Sequence, residues 1–475
     1  MRRALDCGSE GRAGRPWEAP RFLAGLAALA VTILSATAAT AQQSLPYPFG
    51  PASQIPTPAA AQADPRPFQL RTFLRLEGEY NDNFFLSETN KQEEFREILT
   101  PGLGFRLSSG TSFADLLYAP SLVHSSLNEG EVELFHFLDA NATLALSERT
   151  TLNGTERFRR TDLPAITDPR GIRRDRAVLV QNTLSSNLTY RQDPWSLVPR
   201  YSLTINQNEG GGRTQRGNQT ATTNQERSLV HALATDVTLD ILGRNTLGAG
   251  YELTLADFKI ANDFTGHTGR FSLSRELNPL TTASLGGFVS YRDVKEPGID
   301  FNIYSADIGL RRDVSPLYTL EARFGYNITD AGTGAADSKG FTFRLEGTYT
   351  GKLVRFSAVS GQSIQETFLD RDNVGLIETR DSTMQLQYDA SSWLTLSLTG
   401  RFAQNRFLQS SGVSGSGQVQ DRKDLLVDLG FDLSFQLTRL LFLTVGYTYG
   451  TADSNLAGLD YQNNRVRVGL TVTYP

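Results

Sequence analysis

From Leu70 to the C-terminus, the chain alternates between apolar and polar residues in segments that are separated by polar breaks. The alternation is clearest over residues 424–437, where Leu, Val and Phe at every second position oppose Asp, Gly, Ser and Gln. A period of two residues indicates β-strands. The segments last roughly 9–13 residues, as in tilted transmembrane strands, whereas strands of soluble proteins average about 5–6. The sequence therefore predicts an all-β, transmembrane fold with one apolar and one charged, water-facing side.

The breaks between segments come in two lengths that alternate strictly. Nine are short, at residues 108–110, 147–149, 192–194, 243–245, 278–279, 315–316, 351–352, 391–392 and 438–439. Ten are longer, centred near residues 87, 128, 168, 216, 262, 297, 334, 371, 415 and 456. Short periplasmic turns and long external loops are typical of outer-membrane barrels. We predict an antiparallel up-and-down β-barrel of about 20 strands over residues 69–475, with 18 strands as the alternative.

The N-terminal segment has the pattern of a secretory signal peptide. Five arginines precede an apolar run over residues 22–36, and Ala39-Thr40-Ala41 follows as a small-residue cleavage site. The apolar run is shorter than the roughly 20 residues that a membrane-spanning helix needs. We predict that residues 1–41 are removed between Ala41 and Gln42. The next segment, 42–68, is Pro-rich and is predicted to be an extended periplasmic leader.

Charge and cysteine content exclude several classes of function. Of 46 basic and 51 acidic residues, five and three lie in residues 1–41, which leaves 41 against 48 and a net charge of −7. Such an acidic balance gives no footprint for nucleic acid. The single cysteine, Cys7, lies in the segment that is predicted to be removed. Disulfides, thiolate catalysis and cysteine-based zinc sites are therefore excluded from the predicted mature chain.

The C-terminal segment carries the pattern of a barrel assembly signal. Arg467, Gly469, Val472 and Tyr474 match the order polar, glycine, hydrophobic and aromatic that the barrel assembly machinery reads in a last strand. The usual signal ends on the aromatic residue, whereas here Pro475 follows. The alternative is an amphipathic terminal strand without a dedicated signal.

Residues 79–85, Glu-Tyr-Asn-Asp-Asn-Phe-Phe, stand where the first strand would leave the membrane. This motif resembles the E-Y-N-D-N-x-F stretch near the start of the putative β-barrel porin 2 family. The resemblance implies an outer-membrane barrel without catalytic residues, of a kind often found with exopolysaccharide or capsule systems, including those linked to PEP-CTERM sorting. The structural interpretation of the motif takes Tyr80, Phe84 and Phe85 as interfacial aromatics and Asn81-Asp82-Asn83 as a strand break.

The sequence offers little that could carry out chemistry. The four histidines, His124, His136, His231 and His267, fall in the apolar register near external loops, which suits rings at the headgroup level. We find no metalloprotease, nucleophile-elbow, phosphate-loop or calcium-loop motif. The Gly-Ser run at residues 410–417 lacks the strand-to-helix context of a phosphate-binding loop. We therefore predict no enzymatic activity, no metal and no cofactor.

One cluster of basic residues surrounds the break near residue 168, with only four acidic residues nearby. Its members are Arg157, Arg159, Arg160, Arg170, Arg173, Arg174 and Arg176. Guanidinium groups bind carboxylates and phosphates in a bidentate manner. The cluster could contact an anionic solute or lipopolysaccharide, or it could form only a solvated loop.

A barrel of this size without a plug domain needs a constriction, because barrels of 16–18 strands already enclose an aqueous channel. Residues 162–175 and 208–225 are the segments predicted to fold inward. We predict a pore for hydrophilic or anionic solutes in the outer membrane, associated with an exopolysaccharide system. The alternative is a structural or adhesive surface barrel that transports nothing. The predicted partners are outer-membrane lipid, lipopolysaccharide, the barrel assembly machinery and a polysaccharide or small hydrophilic solute.

Overall fold

A computed structural model describes residues 67–127, 131–163, 178–209, 215–216, 219–220, 227–241, 243–259, 262–296, 300–331, 338–367, 375–410, 422–456 and 458–474. The predicted signal peptide and leader, up to residue 66, lie outside these residues. In the described part of the chain, no helix is long and apolar enough to cross a membrane.

The described residues form twenty antiparallel strands in one sheet. They are β1 Phe68–Asn81, β2 Glu94–Ser109, β3 Ser112–Tyr118 continued by Ser121–Ser125, β4 Val132–Ala145, β5 Thr150–Thr161, β6 Leu179–Gln192, β7 Trp195–Asn208, β8 Arg227–Ile241, β9 Asn245–Phe258, β10 Phe264–Asn278, β11 Thr281–Val294, β12 Phe301–Ser315, β13 Tyr318–Ala331, β14 Ser338–Thr350, β15 Val354–Thr367, β16 Gly375–Ser391, β17 Leu394–Ser410, β18 Lys423–Gln436, β19 Leu441–Ser454 and β20 Tyr461–Tyr474. Two further pairs, Gln215–Arg216 and Gln219–Thr220, form a minimal hairpin between β7 and β8.

Each strand pairs with its neighbours in the sequence, and the last strand pairs with the first. The β20–β1 ladder runs from Arg465 opposite Asn81 to Tyr474 opposite Thr72. Closure satisfies the backbone hydrogen bonds of both edges, and only a closed sheet can do so in hydrocarbon. The prediction of about twenty strands in an up-and-down barrel is therefore confirmed, as are all nine short turns.

The two faces of the barrel differ as the alternation predicts. On β18, Leu429 is 50% exposed on the outer face, whereas the next inward side chain, Asp428, is only 18% exposed. Leu, Val, Phe and Tyr dominate the exposed outer surface all around the sheet. An apolar outer belt around a polar interior is the surface of a membrane-spanning barrel.

Some external connections are shorter than the sequence predicts. The break near residue 262 consists of only residues 259–263, because β9 and β10 continue to Phe258 and from Phe264. Their inward aromatic rings stack at the top of the hairpin, with centroids 6.2 Å apart. This packing extends the strands beyond the region in which the apolar alternation is visible.

Candidate channel lumen

Arginine and acidic side chains pair with one another along the inner wall. Arg467 Nη2 lies 2.9 Å from Asp432 Oδ1, and Arg323 Nε lies 2.6 Å from Glu321 Oε1. Similar pairs join Arg270 to Glu252 at 3.2 Å and Arg344 to Glu346 at 2.9 Å. Because these charges have partners on the same strand or within two strands, the wall is hydrophilic without a strong excess of either sign.

Accessibility of the inner wall changes along the barrel axis. On most strands the inward side chains of the extracellular half are buried, for example Thr329 on β13 and Asn405 on β17. In the periplasmic half, inward residues such as Ser272 on β10 and Thr319 on β13 remain partly accessible. Solvent therefore reaches the inner wall more readily in the periplasmic half.

The chain that follows β5 contacts β2 inside the extracellular half of the barrel. Asp162, directly after β5, receives a hydrogen bond of 3.2 Å from Arg96 Nη1 and is also paired with Arg96 Nη2. Arg96 lies on β2, and β3 and β4 stand between β2 and β5, so the chain that leaves β5 turns over the inner wall. Leu163 lines the same inner surface. The described beginning of the 162–175 segment therefore follows the predicted inward path, and the remaining residues lie outside the described part.

Beside this contact lies an apolar lumen patch. It consists of Phe73, Ala119, Val123, Phe135 and Phe137, with Ile98, Leu117 and Val178 packed against them. Its five central members are at most 8% exposed. The sequence analysis missed this patch, because phenylalanines at inward positions of β1 and β4 look like lipid-facing residues until the register is known.

The 79–85 motif joins the first strand to the last at the extracellular end of the barrel. Asn464 donates from its backbone N to Asp82 Oδ1 and from Nδ2 to Asp82 Oδ2, both over 2.6 Å. Asn83 Nδ2 donates to the carbonyls of Ser87 and Gln462, at 2.8 and 2.9 Å. The motif ends β1 at Asn81 as predicted, and it also fixes the β1–β20 seam.

The motif's aromatic residues do not all behave as predicted. Tyr80 faces outward and is 41% exposed, which fits an interfacial aromatic. Phe84, in contrast, is 7% exposed, and Arg96 Cζ stands 4.4 Å from its ring centroid. The interpretation of Phe84 as an interfacial ring is therefore wrong, because the chain after Asn83 turns inward and buries it beneath a lumenal arginine.

The structure divides the predicted arginine cluster between the two faces of the wall. Arg157, Arg159 and Arg160 lie in strand β5 and not in a loop. Arg159 and Arg157 face the lumen, where both pair with Asp139, at 2.5 and 3.3 Å respectively. Arg160 faces outward and pairs with Glu209 over 2.7 Å. Arg170, Arg173, Arg174 and Arg176 lie outside the described residues.

The four histidines face the lipid side, as predicted, and three of them are paired with tyrosines. The hydroxyl groups of Tyr118, Tyr201 and Tyr251 lie 2.8, 3.0 and 2.7 Å from the Nδ1 atoms of His136, His231 and His267. These pairs belong to a girdle of amphipathic rings near the external ends of the strands. Among the described residues, no group of His, Cys, Asp and Glu could hold a metal ion.

The residues of the predicted assembly signal alternate across β20. Arg467 and Gly469 face the lumen, and Val472 and Tyr474 face outward, opposite Leu74 and Thr72 of β1. β20 packs closely against β19 at Gly469, because a Cβ there would stand 2.9 Å from Thr444 Oγ1. Recognition by the assembly machinery remains a prediction.

A comparison with known protein families finds a match over part of the chain. The model of the family described as "Putative beta-barrel porin 2" matches residues 349–474, from the end of β14 through β20. The resemblance to that family is thus confirmed over this part of the chain. Among curated proteins, no match is found.

Several solved structures from Pseudomonas aeruginosa are similar. OpdO has 14% identity and a TM-score of 0.40, and the alignment covers 86% of this chain and 98% of that one. OpdK with vanillate has 13% identity and a TM-score of 0.41, with 86% and 99% covered. OpdQ has 13% identity and a TM-score of 0.40, with 86% and 100% covered.

Proposed function

We propose that this chain is an outer-membrane pore for hydrophilic solutes, delivered by a cleaved signal peptide. One observation carries the proposal: a closed barrel of twenty strands has an apolar outer belt and an inner wall of paired charges and polar groups. Paired charges hold water and polar solutes along the wall without trapping either kind of ion. The resemblance to the porin family supports the same function.

The constriction is proposed to lie in the extracellular half, where the Arg96–Asp162 contact draws the chain over the inner wall. Both side chains are 4% exposed, so losing either one leaves the other as a buried charge with fewer partners. Asp162→Ala should release the chain after β5 and raise the single-channel conductance in planar bilayers at least twofold.

Glu209→Gln provides a matched control for this experiment. It also breaks an ion pair of β5, but that pair lies on the outer face. It should leave the conductance unchanged. If the wild-type protein conducts no ions and releases no small sugars from proteoliposomes, the pore function is wrong, and a structural or adhesive surface barrel becomes the better proposal.

A more specific proposal is that the pore prefers anions to cations. Arg157 and Arg159 share the single carboxylate of Asp139, which leaves one positive charge, so most of an anion preference would have to come from Arg170, Arg173 and Arg174. Replacing these three by glutamine should lower the anion-to-cation permeability ratio in bilayers, most strongly at low salt. If the ratio does not change while outer-leaflet integrity weakens, the cluster contacts lipopolysaccharide instead.

The most specific proposal, a role in an exopolysaccharide system, rests on the family resemblance alone. Proteoliposomes that contain the protein should release neutral and acidic oligosaccharides faster than empty liposomes do. Release of monosaccharides only would restrict the pore to small solutes and count against passage of polysaccharide.

A further inference from the structure

Two prolines face each other within the wall between β2 and β3. The register pairs Leu103 with Tyr118 and Leu99 with Leu122, which places Pro101 opposite Pro120. Counted from Pro101 and Pro120, every second residue of β2 and β3 points its backbone N–H at the other of these two strands. The backbone N of Ser126, directly after β3, for example, donates to Phe95 O of β2 over 2.9 Å. Proline has no N–H, so both ladder hydrogen bonds of this residue pair are missing. In β-sheets generally, prolines are found mostly on edge strands and at bulges, and neither β2 nor β3 is an edge strand.

An apolar cleft opens on the lipid side at this point. It has a volume of about 520 Å³ and is lined by Leu74, Leu103, Tyr118 and Val472 in addition to the two prolines. Pockets that hold small ligands have volumes of about 300–1,000 Å³. The cleft is therefore large enough for one extended chain, and it lies within the apolar belt of the barrel.

Phe73 separates this cleft from the lumen. Its ring lines the cleft and also belongs to the apolar lumen patch. It lies over Gly102 of β2, where a Cβ would overlap the ring. Glycine at this position thus lets one aromatic side chain cover the backbone where the ladder is interrupted. Apolar surfaces therefore meet on both sides of the interrupted ladder.

Polar groups line the inner wall just above the patch. Thr100 Oγ1 and Ser121 Oγ lie 2.7 Å apart in a small pocket that Arg75, Arg96 and Arg467 share with Glu77 and Glu79. An amphiphile with an apolar chain and a hydrogen-bonding head group would find matching surroundings along this line. This order of apolar cleft, aromatic side chain, apolar patch and polar pocket is what distinguishes the position from ordinary lipid-facing grooves.

We propose that the Pro101–Pro120 gap is a lateral binding site and port for the acyl chain of a long-chain fatty acid. The chain enters from the bilayer, displaces the ring of Phe73 and extends along the apolar lumen patch, with its carboxyl group toward the hydroxyls of Thr100 and Ser121. The route crosses the wall and is separate from the axial passage of hydrophilic solutes.

The test uses the full chain in phosphatidylcholine liposomes with a palmitic acid analogue that carries a terminal diazirine. After irradiation, peptide mass spectrometry maps the labelled residues. In the wild-type protein we expect label at both the outer cleft and the inward-facing Phe135 and Phe137. In Pro101→Val/Pro120→Val, which regains two backbone donors, label at the patch should fall at least tenfold while label at the outer cleft persists.

A reversible staple gives an independent measurement in a Cys7→Ser background, which otherwise contains no thiol. Thr100→Cys/Ser121→Cys places two thiols where hydroxyl oxygens now lie 2.7 Å apart, one residue from the gap. Oxidation should suppress labelling of the patch, and reduction should restore it. Ser108→Cys/Phe113→Cys joins the same strands near the periplasmic turn and should not affect labelling. Phe73→Ala should raise labelling of the patch severalfold.

Two outcomes would overturn the port. Label confined to the outer cleft in the wild-type protein would reduce the cleft to a lipid contact. Equal patch labelling in the wild-type, repaired and stapled proteins would mean that the probe arrives through the aqueous lumen. Ion conductance, measured on the same samples, should not change on proline repair, so the pore function and the lateral port are judged separately.

Discussion

At the scale of single residues, each strand position is assigned to lipid or to water, and the two assignments have different energetic consequences. A charge in the middle of the lipid face has no partner and no water, whereas a charge on the lumen face has both. Neighbouring residues of one strand can therefore respond in opposite ways to similar changes.

Leu429 and Asp428 provide the sharpest comparison. Leu429 lies near the middle of β18 on the outer face, so Leu429→Arg should destabilise the folded barrel by about 2–4 kcal/mol. Asp428→Asn removes a lumenal charge 3.9 Å from Arg401 and should cost clearly less. Urea unfolding in lipid vesicles, followed by the heat-modifiable band, measures both. Similar losses from the two changes would contradict the assignment of faces.

Asp263, in the connection between β9 and β10, makes a pH-dependent contact outside the membrane. Lys295 Nζ and the backbone N of Phe258 each donate to it over 2.8 Å, and together they lower its pKa below the usual value. A lowered carboxyl pKa contributes stability above the unfolded-state pKa, and this contribution is lost as the pH falls through the folded-state value. Asp263→Asn should therefore be less stable than wild type at pH 7, by a gap that closes in acid.

The measurement is urea unfolding of both proteins at neutral pH and at about pH 3, which lies just below the usual pKa of an aspartate. Asp257→Asn, an exposed outward residue of neighbouring β9, serves as the control and should show no comparable pH dependence. A gap between wild type and Asp263→Asn that stays constant with pH would mean that the carboxylate's charge contributes nothing.

At the scale of strands, the seam between β1 and β20 differs from all other strand pairs, because neither a turn nor a loop joins these two strands. Asn81, Asp82 and Asn83 supply side-chain hydrogen bonds at its extracellular end. The ladder beneath them pairs ten residues on each strand. Losing the polar bonds should therefore weaken the seam locally and leave the rest of the barrel folded.

Asn83→Ala removes an amide that is completely buried and that bonds Ser87 and Gln462. The backbone groups left without partners should cost about 1–3 kcal/mol. Hydrogen exchange should rise at the extracellular ends of β1 and β20 and not in β10. Asn90→Gly, at an exposed loop position with φ of 53°, is the control and should be neutral. Unchanged exchange at the seam would contradict the role of the motif.

Truncation of residues 466–475 tests the last strand itself. The deletion leaves most of β1 and β19 as unpaired edges, which the bilayer does not tolerate. The truncated protein should accumulate in the periplasm, sensitive to protease and without a heat-modifiable form. Deleting Pro475 alone should leave assembly intact. A truncated chain that inserts normally would refute the assembly signal.

At the scale of the whole molecule, an even number of antiparallel strands places both ends of the barrel on one side of the membrane. β1 begins at Phe68 and β20 ends at Tyr474, next to the short turns. This side is the periplasm if short turns face inward, as they do in outer-membrane barrels. A segment that precedes β1 would then emerge into the periplasm after export.

The N-terminus of the exported protein tests whether the signal peptide before β1 is cleaved as predicted. Edman sequencing of the membrane form should return Gln42 or a residue within a few positions of it. Ala39→Arg/Ala41→Arg should block cleavage and leave the longer chain, because signal peptidase requires small residues at both positions. Recovery of Met1 from the wild-type membrane form would refute processing.

Strand number, turn positions and the two faces could be predicted from the sequence because they depend on neighbouring residues. Alternation assigns Leu429 to lipid and Asp428 to water without knowledge of any partner strand, and the nine turns mark where each hairpin reverses. Contacts between distant residues could not be predicted in this way. The burial of Phe84 under Arg96, the reach of Asp162 across two strands and the pairing of Asp82 with Asn464 all require the curvature and closure of the sheet. The opposition of Pro101 and Pro120 depends on strand register, which one sequence gives only approximately, because shifting it by two residues preserves both faces.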